Sequence, residues 1–164
     1  MKSTIIIACL GALLAGCTTL GKPYPFPKDS EPSADLRVSG AGVYLLSFNE
    51  KDCYAGKTLV DGNSDAAPVK VVPDKPLVIS YEGDGCMMQA KFTPRQGTHY
   101  LMVAQEGRAP SDPNRSWLSA LGHVNDYQCI MAAIEVDNDG HPATPVKLRK
   151  VSPRQKGLTC IKLR

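Results

Sequence analysis

The chain has 164 residues, 43% of them hydrophobic, and a formal net charge of +3 from 19 Lys and Arg residues against 16 Asp and Glu residues. This length suits one domain, and an average apolar content with a low net charge excludes an intrinsically disordered chain. Beyond the N-terminus no apolar run reaches about 20 residues, which excludes a protein with several transmembrane helices. Six cysteines in so short a chain are the feature that most needs explanation.

The first 17 residues have the three parts of a secretory signal. Lys2 supplies a positive charge, residues 4–14 form an apolar stretch too short to span a bilayer, and small residues precede Cys17. The alternative interpretation is a buried core helix. The sequence Leu14-Ala15-Gly16-Cys17 resembles the lipobox of bacterial lipoproteins, in which the preceding peptide is cut and the cysteine is acylated on its sulfur and its new amino group. The resemblance implies a signal peptide over residues 1–16, which takes Cys9 with it, and a lipidated Cys17.

The same resemblance implies a location. Several acyl chains on one residue anchor a protein stably, whereas a single chain holds it only marginally. Thr18 and Thr19 follow Cys17, where Asp in similar lipoproteins favours retention in the inner membrane. We therefore expect a lipid anchor in the outer membrane, facing the periplasm, with the membrane as one partner of the chain.

Residues 17–33 are rich in proline, with Pro23, Pro25, Pro27 and Pro32. Proline lacks a backbone donor and fixes φ, so this stretch is neither a helix nor a central strand. A polyproline II chain rises ~3.1 Å per residue, which predicts a lipidated spacer reaching about 50 Å from the bilayer. The alternative is a segment packed along the domain surface, with Tyr24 and Phe26 as its contacts.

Residues 34–164 show short runs of alternating or apolar residues separated by clusters of Gly, Pro, Asn and Asp. This spacing is typical of an all-β protein, an antiparallel β-sandwich of about seven to nine strands. Residues 43–48 are apolar on both faces, which suits an interior strand. The candidate strands are residues 35–38, 43–48, 69–72, 77–81, 86–92, 99–105, 127–136, 146–151 and 159–163.

A turn between two of these runs carries a second resemblance. The sequence Phe92-Thr-Pro-Arg-Gln-Gly-Thr-His-Tyr100 combines a proline and a glycine with a tyrosine at the start of the next strand. Such a tyrosine can bond back across a sheet corner through its hydroxyl. The pattern resembles prealbumin-like β-sandwich modules, a resemblance that implies architecture and no activity.

Four cysteines remain for the exported domain: Cys53, Cys86, Cys129 and Cys160. An even number in an oxidising compartment predicts two disulfides, for which three connectivities are possible. The pairs Cys53–Cys86 and Cys129–Cys160 are favoured because each is close in sequence and the second would hold the last strand. The cysteines lack the paired spacing of a zinc site, and a catalytic thiol would need a free thiolate with a histidine partner.

The sequence offers no catalytic constellation. His99, His123 and His141 lie apart, and no H-E-x-x-H, G-x-S-x-G or phosphate-loop motif is present. The run Asp137-Asn138-Asp139-Gly140 lacks the spaced ligands of a calcium loop and predicts a hairpin turn. Glu50 and Asp52 form a carboxylate pair without a third group, which is typical of a solvated loop. We therefore predict a protein that is not an enzyme and has no metal or cofactor.

A long connection spans residues 106–125 and contains the only tryptophan of the chain. Loops of this length in compact domains are often functional, and Trp and Arg are prominent in binding hot spots. The alternative is a short helix that closes one end of the sandwich, with the tryptophan buried. The candidate partner-binding residues are Arg108, Arg115, Trp117, Leu118 and Leu121.

The segment after Gly140 has seven cations and no acidic residue. Alternation with apolar residues predicts half-buried strands with a cationic outer face, suited to lipopolysaccharide phosphates, anionic wall polymers or an acidic protein. The alternative is that the cations protect an edge strand from aggregation. The candidate anion-binding residues are Lys147, Arg149, Lys162 and Arg164.

These observations predict a non-enzymatic, lipid-anchored protein of the cell envelope, an accessory or adaptor that docks on an envelope protein. Nucleic acid is excluded as a partner by the expected periplasmic location. The alternative is a periplasmic inhibitor or immunity protein that blocks a wall-degrading or toxic enzyme, a hypothesis that rests on analogy with small disulfide-bonded β lipoproteins.

Overall fold

The structure, a computed structural model, describes residues 21–63, 65–108, 127–137, 139–156 and 160–163. These residues form twelve strands and no helix, and none of them belongs to a helix that could cross a membrane. The strands are β1 Ala34–Gly40, β2 Val43–Phe48, β3 Tyr54–Val60, β4 Val69–Val71, β5 Leu77–Glu82, β6 Met87–Phe92, β7 His99–Arg108, β8 Tyr127–Val136, β9 Pro142–Val146, β10 Arg149–Lys150, β11 Pro153–Lys156 and β12 Cys160–Leu163.

Two five-stranded sheets form a sandwich, which confirms the predicted all-β class. Sheet A has the order β4-β1-β7-β8-β9, sheet B has the order β10-β6-β5-β2-β3, and β11 and β12 form a separate hairpin. All pairs are antiparallel except β1 with β7, whose parallel register runs from Asp35 opposite His99 to Gly40 opposite Ala104. A parallel pair needs a long connection, and here the strands β2 to β6 supply it.

The main core lies between the inward faces of the two sheets. Sheet A contributes Leu36 and Met102, and sheet B contributes Leu45 and Ile79, all four almost fully buried. Alternation along interior strands such as β1 places every second side chain in this layer, as the sequence pattern predicts. The interior position of β2 confirms the expectation from its apolar residues on both faces.

The predicted strand over residues 146–151 is wrong. Val146 ends β9 in sheet A, whereas Arg149 begins β10 in sheet B, so the chain changes sheets between them. Leu148 lies at this crossing and packs against the main core. The other eight predicted runs coincide with strands to within three residues at either end.

Three strands had little or no signal in the sequence. β3 contains Ala55 and Gly56, which have low strand propensity, and β11 has four exposed residues without apolar alternation. β9 contains Pro142 and Pro145 and lies at the edge of sheet A, the position at which a strand tolerates proline.

The N-terminal segment packs along the domain, as in the alternative to a free spacer. The backbone N–H of Lys22 donates to the carbonyl of Ala55 at 2.8 Å, and that of Tyr24 donates to Thr58 Oγ1 at 2.8 Å. Tyr24 is only 9% exposed and belongs to the main core. A spacer over residues 17–33 is therefore wrong for the described residues from Gly21 onward, and the domain begins before residue 34.

Tyr24 also fixes this segment through its hydroxyl, which accepts a hydrogen bond from the backbone N–H of Val72 at 3.1 Å. Burial raises the pKa of Tyr24, and the bond from Val72 opposes that effect. Phe26 packs edge-on against Tyr24, with ring centroids 5.1 Å apart. We call residues 21–26 the N-terminal strap.

Two disulfides close the domain, but the favoured pairing is wrong. Cys53 bonds Cys160 and Cys86 bonds Cys129, with Cα–Cα distances of 5.1 and 5.6 Å. Cys86 precedes β6 in sheet B and Cys129 lies on β8 in sheet A, so this bridge joins the two layers. The other bridge joins the last strand to the start of β3, because the C-terminal segment ends beside that strand.

The predicted corner at Tyr100 is confirmed. Its hydroxyl accepts a hydrogen bond from the backbone N–H of Arg95 at 2.9 Å, and its ring packs against Phe92 with centroids 5.1 Å apart. Gly97 has a φ of +70°, a conformation that glycine adopts without steric cost, and its N–H donates to the carbonyl of Ser33 at 2.8 Å.

A second apolar cluster lies on the outer face of sheet B. Leu46 of β2 and Val78 of β5 point away from the main core, and Val151 covers them. Leu163 packs against the same cluster, and the backbone N–H of Val151 donates to the carbonyl of Gln89 at 2.9 Å. The C-terminal segment therefore starts at one edge of sheet B and crosses its outer face to the opposite edge.

Candidate anion-binding site

The main cationic concavity lies at the β10 edge of sheet B. Its cations are Lys91 of β6, Arg149 of β10 and Lys147 of the preceding connection. The cavity measures about 440 Å³, and we call it the basic cleft. The remaining described residues that line it are Pro76, Phe92, Thr93 and Val146.

Strand pairing brings two of these cations together. Lys91 and Arg149 are direct partners in the antiparallel register of β6 and β10. Directly opposed like charges destabilise a strand pair, because their side chains leave the same face of the sheet at adjacent positions. Lys147 lies in the connection between β9 and β10, two residues before Arg149, and lines the same cavity.

The charges of the basic cleft are not neutralised within the described part of the chain. The ion pairs formed there involve other cations, among them Lys57 with Glu82 at 2.5 Å and Arg95 with Glu135 at 2.5 Å. No described carboxylate lies within 4.0 Å of the cationic groups of Lys91, Lys147 or Arg149. The cleft is thus suited to a carboxylate or a phosphate, which both accept charge-assisted hydrogen bonds from Lys and Arg.

A second group of cations, which includes the candidate Lys162, lies at the opposite edge of sheet B. Arg154 of β11 and Lys162 of β12 are direct partners in the hairpin register, and Lys156 lies opposite Cys160. A cavity of about 250 Å³ is lined by Arg154, Gln155, Lys156 and Lys162. We call β11 and β12 the basic hairpin.

The sequence therefore identified parts of two separate cationic surfaces. Lys147 and Arg149 meet in the basic cleft, Lys162 lies in the basic hairpin, and Arg164 lies outside the described residues. Lys91 was missed, because it comes far earlier in the chain and only the strand register reveals its partnership with Arg149. β10 is an edge strand, so protection of that edge also fits the cations on it.

Most of the candidate partner-binding loop lies outside the described residues. β7 extends to Arg108, so residues 106–108 belong to a strand and the connection begins later than predicted. Arg115, Trp117, Leu118 and Leu121 lie outside the described residues, as does His123.

A histidine–carboxylate pair lies at the end of sheet A. His99 Nδ1 and Asp35 Oδ2 are 3.0 Å apart, because the parallel register of β1 and β7 makes these residues direct partners. Both line a cavity of about 190 Å³ together with Arg37, Asp137 and Asp139. The described lining holds no Ser, Thr, Cys or Lys that could act as a nucleophile beside the pair.

The turn between β8 and β9 brings Asp137, Asp139 and His141 together. One possible metal-ligand atom of each residue lies within 4.8 Å of those of the other two. All three side chains are exposed, and Asp137 Oδ1 accepts hydrogen bonds from the backbone N–H groups of Asp139 and His141 at 3.0 and 2.8 Å. Asp137 therefore organises the chain reversal, in agreement with the predicted hairpin turn.

Glu50 and Asp52 lie in the exposed connection between β2 and β3. Asn49 Oδ1 accepts hydrogen bonds from the backbone N–H groups of Lys51 and Cys53, and Asp52 Oδ2 lies 3.8 Å from Lys162 Nζ. This agrees with the predicted solvated loop, whose carboxylate faces the basic hairpin.

Comparison with known proteins gives no relative for this fold. No protein-family model matches the chain, and neither the curated proteins nor the solved structures contain a significant match.

Proposed function

We propose that the chain is a lipid-anchored, non-enzymatic adaptor of a bacterial envelope that binds an acidic segment of a partner protein in the basic cleft. The anchor is Cys17, and the expected location is the periplasmic face of the outer membrane. The observation that carries the binding proposal is the convergence of Lys91, Lys147 and Arg149 on one cavity without a described carboxylate partner.

The lining of the basic cleft favours a protein segment over an isolated ion. Pro76 and Val146 supply apolar surface beside the three cations. A segment with both acidic and apolar side chains uses this combination fully, because apolar contact adds to the charge-assisted hydrogen bonds. Like charges held opposite each other in the register are relieved when an anion binds between them.

The anchor is tested by labelling cells with a palmitate analogue. We expect the wild-type chain to carry the label and to fractionate with membranes, and a Cys17→Ser variant to lose the label. Cys9→Ser is the matched control, because Cys9 lies within the expected signal peptide and its variant keeps the label. A labelled Cys17→Ser variant would contradict the assignment of the acylated residue.

The basic cleft is tested by photo-crosslinking in cells from a reactive amino acid placed at Thr93, an exposed residue of its lining. We expect Lys147→Gln together with Arg149→Gln to lower the yield of the protein crosslink at least tenfold. The reason is that a charged hydrogen bond contributes ~1.5–3 kcal/mol and each 1.4 kcal/mol is about a factor of ten.

The matched control is Arg154→Gln together with Lys156→Gln, which removes the same charge from the basic hairpin and keeps the crosslink. Equal yields from the wild type and the cleft variant, with both disulfides formed, would refute the binding proposal. A crosslink to lipopolysaccharide in place of protein would refute the choice of partner.

A further inference from the structure

The N-terminal strap fixes the point at which the chain leaves the domain. The N–H of Lys22 bonds the carbonyl of Ala55 at 2.8 Å, and Ser47 Oγ donates to the carbonyl of Lys22. Gly56 permits this contact, because a Cβ at that position would lie 2.5 Å from the oxygen and 2.6 Å from the nitrogen of Lys22. The strap therefore leaves the domain beside the first residues of β3.

Only three residues, 18–20, lie between Cys17 and Gly21. An extended chain rises at most ~3.3–3.6 Å per residue, so the four steps from Cys17 to Gly21 span at most about 14 Å. If acyl chains hold Cys17 at the bilayer surface, the start of β3 lies within that distance of the lipid headgroups. A spacer of 16 free residues would have allowed about 50 Å.

The basic hairpin lies at the same edge of the sandwich. The disulfide from Cys160 to Cys53 joins β12 to the residue that precedes β3, and Lys162 Nζ lies 3.8 Å from Asp52. In the register of the hairpin, Arg154, Lys156 and Lys162 lie on one face. The exit of the chain and the cations of the hairpin therefore share one edge.

The charge of this edge remains positive when its acidic residues are included. The charged residues of the strap, the connection before β3, β3 itself and the basic hairpin are Lys22, Lys51, Lys57, Arg154, Lys156 and Lys162, against Glu50 and Asp52. Tyr54 and Ile161, which follow the two bonded cysteines, are 36% and 44% exposed. Tyrosine and aliphatic side chains beside cations are typical of a surface that lies at a lipid headgroup layer.

We propose that the basic hairpin contacts the anionic headgroups of the membrane that holds Cys17, so that the domain sits against the bilayer by its β3 edge. This proposal rests on the lipid anchor proposed above. A basic residue beside an anionic membrane contributes about 1 kcal/mol, a factor of about five in binding. The basic cleft, at the β10 edge of the same sheet, then faces away from the membrane and stays accessible to a soluble partner segment.

The test uses the full lipidated chain, purified from membranes and reconstituted into two kinds of vesicle. One contains phosphatidylcholine alone, and the other contains phosphatidylcholine with phosphatidylglycerol. A water-soluble amine reagent labels exposed lysines, which are quantified by mass spectrometry. We expect Lys156 to be labelled about fivefold more slowly on the anionic vesicles, with Lys91 and Lys147 of the basic cleft unchanged as internal references.

A charge variant checks the same contact without the acyl chains. In the Cys17→Ser chain, Arg154→Gln with Lys156→Gln is expected to weaken sedimentation with anionic vesicles about 25-fold, at about fivefold for each cation. Lys147→Gln with Arg149→Gln is the matched control and leaves sedimentation unchanged.

The outcomes separate the two proposals. A purified wild-type chain that carries no acyl group and leaves neutral vesicles refutes the lipid anchor. An acylated chain that stays on both kinds of vesicle but labels equally at Lys156 refutes the contact of the hairpin, while the anchor stands. Protection of Lys91 and Lys147 in place of Lys156 also refutes it, because the opposite edge then faces the membrane.

Discussion

Replacing both Cys53 and Cys160 by alanine is expected to lower the free energy of unfolding by about 4–5 kcal/mol. The two cysteines are 107 residues apart, and in the chain-entropy account a loop of about 100 residues contributes ~4.7 kcal/mol through the unfolded state. The loss is large against a total of ~5–15 kcal/mol for a small domain. Urea unfolding of the oxidised proteins, followed by circular dichroism, measures it.

The matched control is the double alanine variant of Cys86 and Cys129, whose separation is 43 residues. The same account gives a loss of about 4 kcal/mol, so both variants are destabilised and the first slightly more. Peptide mapping without reduction checks the pairing directly. A peptide that joins Cys53 to Cys86 would contradict the structure, and so would an unchanged midpoint in either variant.

Tyr24→Ala is expected to lower the free energy of unfolding by about 3 kcal/mol. The ring is buried in the main core, and removal of a buried aromatic side chain costs ~3–5 kcal/mol when the site is fully enclosed. Tyr24→Phe keeps the ring and removes the acceptor for the N–H of Val72, which predicts a loss of about 1 kcal/mol. Equal stability of the alanine variant and the wild type would show that the N-terminal strap does not hold the domain.

The pair of wild type and Tyr24→Phe also gives a pH dependence of known sign. Burial raises the pKa of Tyr24 in the folded state, so its contribution to stability is complete below the unfolded pKa of about 10. The contribution is lost as the pH rises through the folded pKa. The stability difference between the two proteins should therefore shrink above pH 10, whereas a constant difference between pH 7 and 11 would contradict the assignment.

Much of the sandwich could be predicted because one face of each long strand is buried. The run from Cys86 to Phe92 alternates cleanly, and β6 follows it from Met87 onward. β3 could not be predicted, because Gly56 has low strand propensity. A side chain at this position would clash with the backbone of the strap. The parallel pairing of β1 with β7 depends on contacts between distant segments, which local patterns do not record.

The disulfide pairing also depends on contacts between distant segments. Composition and compartment predict that all four cysteines are bonded, but the pairing depends on how the C-terminal segment crosses sheet B. Val151 and Leu163 cover the outer cluster at Leu46 and Val78, which carries Cys160 to the start of β3. Pairing the cysteines by nearness in sequence therefore gave the wrong disulfides. The path of the chain over sheet B is set by apolar contacts, and these contacts do not depend on loop length.

The candidate site was predicted in part for a related reason. A run of cations without acids is visible in the sequence, and Lys147 and Arg149 were identified from it. Lys91 belongs to another segment of the chain and enters the basic cleft only through its register with Arg149. When a binding surface combines residues from distant strands, the sequence reveals only the residues that lie together in one segment.

The parallel pairing of β1 with β7 also determines the order in which the domain can assemble. β1 is the first strand of the domain, but its neighbours in sheet A are β4 and β7. About half of the sandwich must therefore be synthesised before β1 can pair with β7. The bond from Cys53 to Cys160 forms only after almost all of the described residues have been synthesised. Contacts this distant in sequence require long loops to close first, so we expect the domain to fold more slowly than a sandwich built only from neighbouring hairpins.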